Sequence, residues 1–233
     1  MTLWSGEHDP DVFINEWRRN FWFDLHKKTG NSDEDKFSGG FDVQYIRERD
    51  TTTVYGKFSE KTRDDKKTED EREVGVDFER LLGPEKRHLW YLRASWLQDQ
   101  IEDLELRSIY ATGYGYYFIR NNATILRGRS GLQYRIEDFY SEETRDDIGL
   151  DLGVEFKTKI TDNIAWYTDL EYAPAFEDLN NYIASHESGL NIPFGVDITM
   201  TLKTGIEHNY TSQPAEDFSK LDTRYFMRLE FEF

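Results

Sequence analysis

Leu221-Asp222-Thr223-Arg224-Tyr225-Phe226-Met227-Arg228-Leu229-Glu230-Phe231-Glu232-Phe233 closes the chain, and its period of two decides the fold class. Thr223, Tyr225, Met227, Leu229, Phe231 and Phe233 fall on one face, and Asp222, Arg224, Phe226, Arg228, Glu230 and Glu232 on the other. Successive side chains of a β-strand point to opposite sides, so strict alternation marks a strand between two unlike environments. Here one side suits lipid or a protein core, and the other is mainly charged.

The pattern recurs upstream. Ile148, Leu150, Leu152, Val154 and Phe156 alternate with Asp147, Gly149, Asp151, Gly153 and Glu155. Ile164 to Tyr172, Ile198 to Ile206, Trp90 to Trp96, Val74 to Phe78 and Phe37 to Tyr45 read the same way, and 17–28, 52–61, 104–118, 124–136 and 182–192 less cleanly. Connectors alternate in length. Tight turns are expected at Asp50-Thr51, Gly83-Pro84-Glu85, Asn121-Asn122, Asp162-Asn163 and 193–196, and longer polar loops at 29–35, 60–71, 98–103, 137–144, 174–181 and 209–220. Asn and Asp tolerate the positive φ of tight hairpins. Short turns at one rim and long loops at the other, with an even count of about twelve strands, predict an up-and-down antiparallel transmembrane β-barrel. The expected organisation is a tail over 1–14 at the periplasmic side and a barrel over 15–233, with no second domain. Trp90, Tyr116, Trp166 and Phe233 should then lie near the periplasmic rim, and Tyr172 and Phe37 near the outer one.

Composition bears on the alternatives. The 233 residues are 37% hydrophobic and 15% aromatic, with a mean hydropathy of −0.79. Such polarity argues against membrane helices, which need roughly 20 apolar residues in succession. It does not argue against a barrel, where only every second residue meets lipid. A soluble barrel or sandwich shares the period of two, but would turn its apolar face inward. The chain has no cysteine, which excludes disulfides, thiolate metal sites and a cysteine nucleophile. A net charge of −17 disfavours nucleic acid as a partner and leaves solvated loops, or attraction of cations, as its meaning. Met1-Thr2-Leu3-Trp4 lacks the basic and apolar regions of a signal peptide, so the expectation is a mature form carrying an added initiating Met.

Several stretches then carry a resemblance. Lys28-Thr29-Gly30-Asn31-Ser32, Asp99-Gln100-Ile101-Glu102-Asp103-Leu104-Glu105-Leu106-Arg107, Gly113-Tyr114-Gly115-Tyr116, Gly131-Leu132-Gln133-Tyr134-Arg135-Ile136-Glu137-Asp138-Phe139, Asp169-Leu170-Glu171-Tyr172-Ala173-Pro174 and Leu190-Asn191-Ile192-Pro193 occur in this order. Together, over about Phe21 to Phe233, the chain resembles the salt-induced outer-membrane proteins, a family whose domain has no agreed activity. Ile101 stands where that family usually has an aromatic residue. The resemblance implies residence in the bacterial outer membrane.

Chemistry, on this reading, belongs to the inward face. Its candidates for solute passage are Arg93, Arg107, Arg127, Arg129, Asp77, Asp151, Glu155, Asp169, Glu171, Lys203, Glu207, Arg224 and Arg228. Acids gather on the 147–171 hairpin and arginines on strands at 93–129, which suggests two opposed charge ladders across a narrow pore for small polar or ionic solutes. The alternative is a sealed structural barrel whose interior charges pair and whose loops bind an envelope protein. A third reading takes His186 and Ser188, two apart on one strand, as a lipid hydrolase pair, a pattern also seen in outer-membrane phospholipase A. No orienting acid or Asn shares their face. His8, His26, His88 and His208 show no metal spacing, Asp33 to Asp35 and Glu69 to Glu71 are no more than loose Ca²⁺ candidates, and no phosphate-binding loop is present, so no cofactor is expected. Expected partners are outer-membrane lipid, lipopolysaccharide, and the barrel-assembly machinery, which would take up the C-terminal strand through Tyr225, Phe231 and Phe233.

Overall fold

The computed structural model describes residues 15–28, 34–194, 199–214 and 219–233. The expected tail over 1–14 and the motif residues 29–32 lie outside the described residues, as do the second half of the turn at 193–196 and part of the loop at 209–220.

The chain forms twelve strands: β1 Glu16–Lys28, β2 Glu34–Ile46, β3 Asp50–Arg63, β4 Lys66–Leu82, β5 His88–Asp99, β6 Leu104–Arg120, β7 Thr124–Phe139, β8 Arg145–Thr161, β9 Ile164–Pro174, β10 Tyr182–Phe194, β11 Thr199–Thr211 and β12 Leu221–Glu232. Each pairs with its neighbours in sequence, and β1 meets β12, so the sheet closes into an antiparallel barrel. The even count returns both ends of the barrel to one rim, called here the terminal rim. The other is the far rim.

The barrel is inverted relative to a water-soluble protein. Phe21, Phe41, Val54, Val74, Leu92, Leu132, Ile148, Leu170 and Met227 are exposed on its outside, while Asn20, Asp42, Asp77, Asp151, Glu187, Lys203, Glu207 and Arg228 are buried within. This removes the soluble reading, because a water-soluble protein would not expose a continuous apolar belt and bury its charges. Aromatic rings collect at both ends of the belt. Trp17 stacks on Tyr45 at 4.6 Å near the terminal rim, where Trp90 and Trp166 also face outward. Phe37 meets Phe58 at 5.2 Å, and Tyr182 meets Tyr172 and Tyr210 at 5.3 Å each, toward the far rim. Phe231 stacks on Phe23 at 6.0 Å, and Phe233 meets Phe21 at 6.3 Å.

Two connectors differ from the sequence expectation. The long loop expected over 60–71 is instead the projecting end of the β3–β4 hairpin, turned at Asp64 and Asp65, with φ of 48° and 60°. Both central residues of a two-residue hairpin turn take positive φ, which Asp accepts. The charged alternation above Val74 disguised a continuing strand as a loop. Asp50 and Thr51, read as a turn, open β3 and pair with Arg80 and Glu79.

Where β6 and β7 cross the lumen wall, Gly113 and Gly131 stand directly opposite each other. The hydroxyl of Tyr91, a side chain 1% exposed, lies over them. A Cβ on Gly131 would stand 2.3 Å from both the Thr112 carbonyl and the Tyr91 hydroxyl. Gly131→Ala should therefore lower stability by about 1–3 kcal/mol, the usual cost of overpacking. A urea titration of the lipid-embedded barrel reads this as a lower midpoint at constant slope. A midpoint equal to the parent's would show that the wall yields freely there.

Candidate functional site

Every residue expected on the inner face projects there, and the hairpin register dictates what each one meets. Arg93 on β5 lies 3.5 Å from Asp77 on β4, 3.7 Å from Asp151 on β8 and 3.3 Å from Glu171 on β9. Arg129 on β7 reaches the same two partners, Asp151 at 3.4 Å and Glu171 at 2.7 Å. The Tyr91 hydroxyl donates to Asp151 at 2.8 Å. These five strands are thereby tied across the interior at mid-height. Nearer the terminal rim, Arg127 joins Glu79 at 2.7 Å and Glu155 at 2.5 Å, and Lys203 joins Glu230 at 2.6 Å. Arg228 takes Glu207 at 3.0 Å and Glu187 at 3.5 Å while stacking on Trp22 and Phe226.

The two ladders are therefore not opposed across an open pore. Arg127 and Arg129 on β7 stand beside Glu155 and Gly153 on β8, so acids and bases meet as wall neighbours in direct contact. The reason is topological: consecutive strands of an up-and-down barrel are adjacent, and residues at 127–129 and 151–155 belong to one hairpin.

Register also lines up carboxylates. Glu155, Asp169, Glu187 and Glu207 stand opposite one another in turn on β8, β9, β10 and β11, with Arg127 and Arg224 at the two ends of the row. Like charges directly across a sheet destabilise it, because their Cβ atoms are only about 5 Å apart. Arg127 answers Glu155, and Arg228 answers Glu187 and Glu207. Glu187 also accepts from the Tyr167 hydroxyl at 2.7 Å. Asp169 has no ion-pair partner among the described residues, and its buried Oδ1 receives no hydrogen bond.

Space inside the barrel narrows from the far rim inward. A vestibule of about 1050 Å³ opens there, with Lys36, Lys57, Arg107, Arg224, Glu69 and Glu71 among its walls. Arg224 crosses it from β12 to meet Glu69 at 2.9 Å and Glu71 at 3.4 Å on β4. Below it lies a cavity of about 120 Å³, which Lys57 shares with Glu73, Asp169, Glu171, Glu187 and Glu207. A third, of about 110 Å³, ends on Asp77, Arg93 and Asp151. Beneath that level Leu89, Tyr91 and Ala111 pack with Leu81 and Tyr117.

Sequence reading left Lys57, Glu73, Glu79, Glu187 and Glu230 off the list of passage residues and took Glu69 and Glu71 for loop acids. The available signal was parity: Glu69, Glu71 and Glu73 lie two residues apart in line with Asp77 on one strand. Glu69 and Glu71 point into the vestibule, whereas Asp70 pairs with Lys67 at 2.9 Å, so the three acids form no common cation site. Motif residues behind the family resemblance interlock instead: Arg107 meets Glu137 at 2.6 Å, and Arg135 meets Glu137 at 3.4 Å and Asp147 at 2.9 Å. His186 and Ser188 are not joined. His186 pairs with His208, Nδ1 to Nδ1 at 3.1 Å, and Ser188 donates to the Tyr167 carbonyl at 3.2 Å and accepts from the Trp166 indole at 3.0 Å.

Two measurements test this electrostatic picture. Removing one member of a buried pair leaves the other charge uncompensated, so Arg93→Ala should cost about 3–5 kcal/mol, whereas Arg47→Ala at the exposed pair with Asp50 should cost about 0–1 kcal/mol. Equal urea midpoints for the two variants would contradict the belt. In the loop after β5, burial and then the carboxylates of Asp99 and Asp222 push Glu102 from its ordinary 4.5 up to about 7. The folded barrel thus binds that proton more tightly than the unfolded chain, and the stability it contributes is full below about pH 4.5 and lost as pH rises through about 7. Glu102→Gln should flatten the fall in urea midpoint across that window, and an unchanged pH profile would remove Glu102 as its source.

Two solved outer-membrane barrels share the architecture. The KdgM porin, solved with disordered oligogalacturonate, is 10% identical with a TM-score of 0.51, covering 93% of this chain and 99% of that one. The translocator domain of the autotransporter NalP from Neisseria meningitidis is 10% identical with a TM-score of 0.52, covering 94% and 89%. At such identity the likeness establishes the fold alone, a twelve-stranded barrel of outer-membrane type. No curated protein matches the chain. A family model spans residues 24–233, nearly all of the barrel, and the chain belongs to that family, described as a protein of unknown function, DUF481.

Proposed function

We propose that the protein resides in the bacterial outer membrane as a narrow, gated passage for small cations and small polar solutes. The terminal rim faces the periplasm, the vestibule faces outward, and the Arg93–Asp151–Glu171–Arg129 belt is the gate. The carrying observation is the charge content of a lumen that an apolar filling would close more cheaply. Replacing buried ion pairs by well-packed apolar side chains is often neutral or stabilising by about 1–4 kcal/mol. A barrel selected only for a sealed interior would have no use for Asp151, Asp169, Glu171, Glu187 and Glu207 on the β8–β11 wall, with Asp77 facing them from β4. The cation preference follows from the row of carboxylates and from Asp169, which lacks a basic partner among the described residues. An anionic oligosaccharide, such as the one in the KdgM structure, would be repelled by that wall. A role in osmotic stress, which the salt-induced resemblance implies, fits a passage for small ions, and Tyr225, Phe231 and Phe233 remain the proposed contact with the assembly machinery.

A second reading draws on the Leu89, Tyr91 and Tyr117 packing below the belt. It makes the barrel a permanently sealed support whose projecting β3–β4 hairpin binds an envelope protein.

Planar-bilayer recording of the refolded protein separates the two. Discrete conductance steps with a reversal potential favouring cations are expected, and Asp169→Asn should reduce that preference several-fold while leaving the steps in place. A silent but inserted barrel would overturn the passage. Loss of a captured envelope partner on trimming residues 62–67 would then support the sealed support.

A further inference from the structure

The barrel wall is incomplete on one side. Pairing between β1 and β12 runs only from Asn20↔Glu232 to Phe23↔Leu229. Neither strand ends there. β1 continues to Lys28, paired with β2 as far as Lys28↔Glu34, and β12 continues to Leu221, paired with β11 as far as Tyr210↔Leu221. Above Phe23 and Leu229 the two strands run on without pairing to each other. Both strands border the gap only from Phe23 to Lys28, five steps of β1, which at ~3.3 Å rise and a tilt near 40° makes a slot roughly 13 Å high. With the terminal rim at the periplasm, that slot lies in the outer leaflet.

The vestibule reaches through it. Its lining includes Asp24, Arg224 and Phe226 from the inner face, but also Thr223, Tyr225 and Met227 from the outer face of β12. With no β1 partner beside them, these residues bring the vestibule to the open edge of β12. Tyr225 is 79% and Met227 63% exposed, so the slot edge is an open apolar surface. Unpaired strand edges facing hydrocarbon alone would each cost several kcal/mol per polar group. Here the edges border a polar chamber that can satisfy those groups from within. The chamber is itself amphipathic: Leu97, Ile101 and Ile183 line it together with Lys36, Lys57 and Arg224.

We propose that the slot is a lateral opening through which the vestibule takes up an acyl chain of an amphiphile from the outer leaflet, its polar end held among the vestibule charges. This rests on the membrane reading above, but not on the barrel conducting ions. A lipid-facing slot continuous with a half-apolar chamber matches an acyl chain. A β-strand from another protein, bridging the two free edges, would instead fill the slot and shut lipid out.

The chain has no cysteine, so single labels are unambiguous. A bimane on Ile183→Cys would report from inside the vestibule, on Tyr225→Cys from the outer surface, and on Asp178→Cys from the aqueous loop. Each labelled barrel is refolded into phosphatidylcholine vesicles with or without bromine on the acyl chains. The expected result is at least a two-fold loss of emission at 183 and at 225, with 178 unchanged. Quenching at 225 without quenching at 183 would overturn the lateral opening and leave the membrane reading intact. No quenching at any position would overturn both. Leu97→Cys carries the same reading as 183 should a label there prevent folding.

Discussion

Everything inside this barrel depends on the antiparallel ladder. A strand that spans hydrocarbon must hand its backbone N–H and C=O groups to a neighbouring strand or to a polar interior, so wherever it is laddered its partners and their register are fixed together. Once β7 pairs with β8 and β8 with β9, Arg127, Glu155 and Asp169 have no choice but to stand in line. The charge chemistry of the lumen is in this sense a by-product of backbone pairing. Side chains were selected to make the imposed row tolerable. Arg127 and Arg228 bracket the carboxylates they can reach, and the Tyr167 hydroxyl caps Glu187.

The energetic logic of the belt separates it from ordinary structural filling. Each ion taken from water loses several kcal/mol of hydration, and only close multidentate pairing offsets that loss. Arg93 and Arg129 achieve this by sharing Asp151 and Glu171, so that neither carboxylate depends on one cation. A shared network has a property that an apolar plug lacks: its members can exchange partners with one another, or with a passing ion and its water, without exposing a bare charge. The side chains of Leu89, Ala111 and Leu81 packed below the belt have no such exchange available.

The fold was legible in the sequence because its signal repeats. Lipid on one side and charge on the other forces a period of two in strand after strand, and the tight turns at 64–65, 83, 121–122 and 162–163 add Asn, Asp or Gly. Legibility failed where the two environments become alike. Above Val74 both faces of β4 meet water or charge, alternation of hydropathy vanishes, and the strand passes for a loop. Pairing across the lumen failed for a different reason. Parity tells which face a residue occupies but not its height, so Arg224 reaching Glu69 and Arg93 reaching Glu171 could not be read without the register. His186 and Ser188 show the converse: shared parity on β10 placed them together, and cross-strand neighbours claimed each of them separately.

The incomplete seam and the belt bear on each other. A fully laddered β1–β12 seam would continue with Asp24 opposite Arg228, one step above Phe23↔Leu229. Arg228 instead turns along its own side of the barrel to Glu187 and Glu207, and its guanidinium stacks on Trp22 and Phe226. The carboxylate row therefore competes for the one cation that could zip the seam by facing Asp24. One added step of β1–β12 ladder would offer Arg228 a third carboxylate, Asp24, while it still serves Glu187 and Glu207. If a cation entered the row and took over those two acids, Arg228 would be released toward the seam. On the proposed passage and slot, cation occupancy of the lumen would then be coupled to closure of the seam through a single side chain, with the sign that bound cation favours the closed wall.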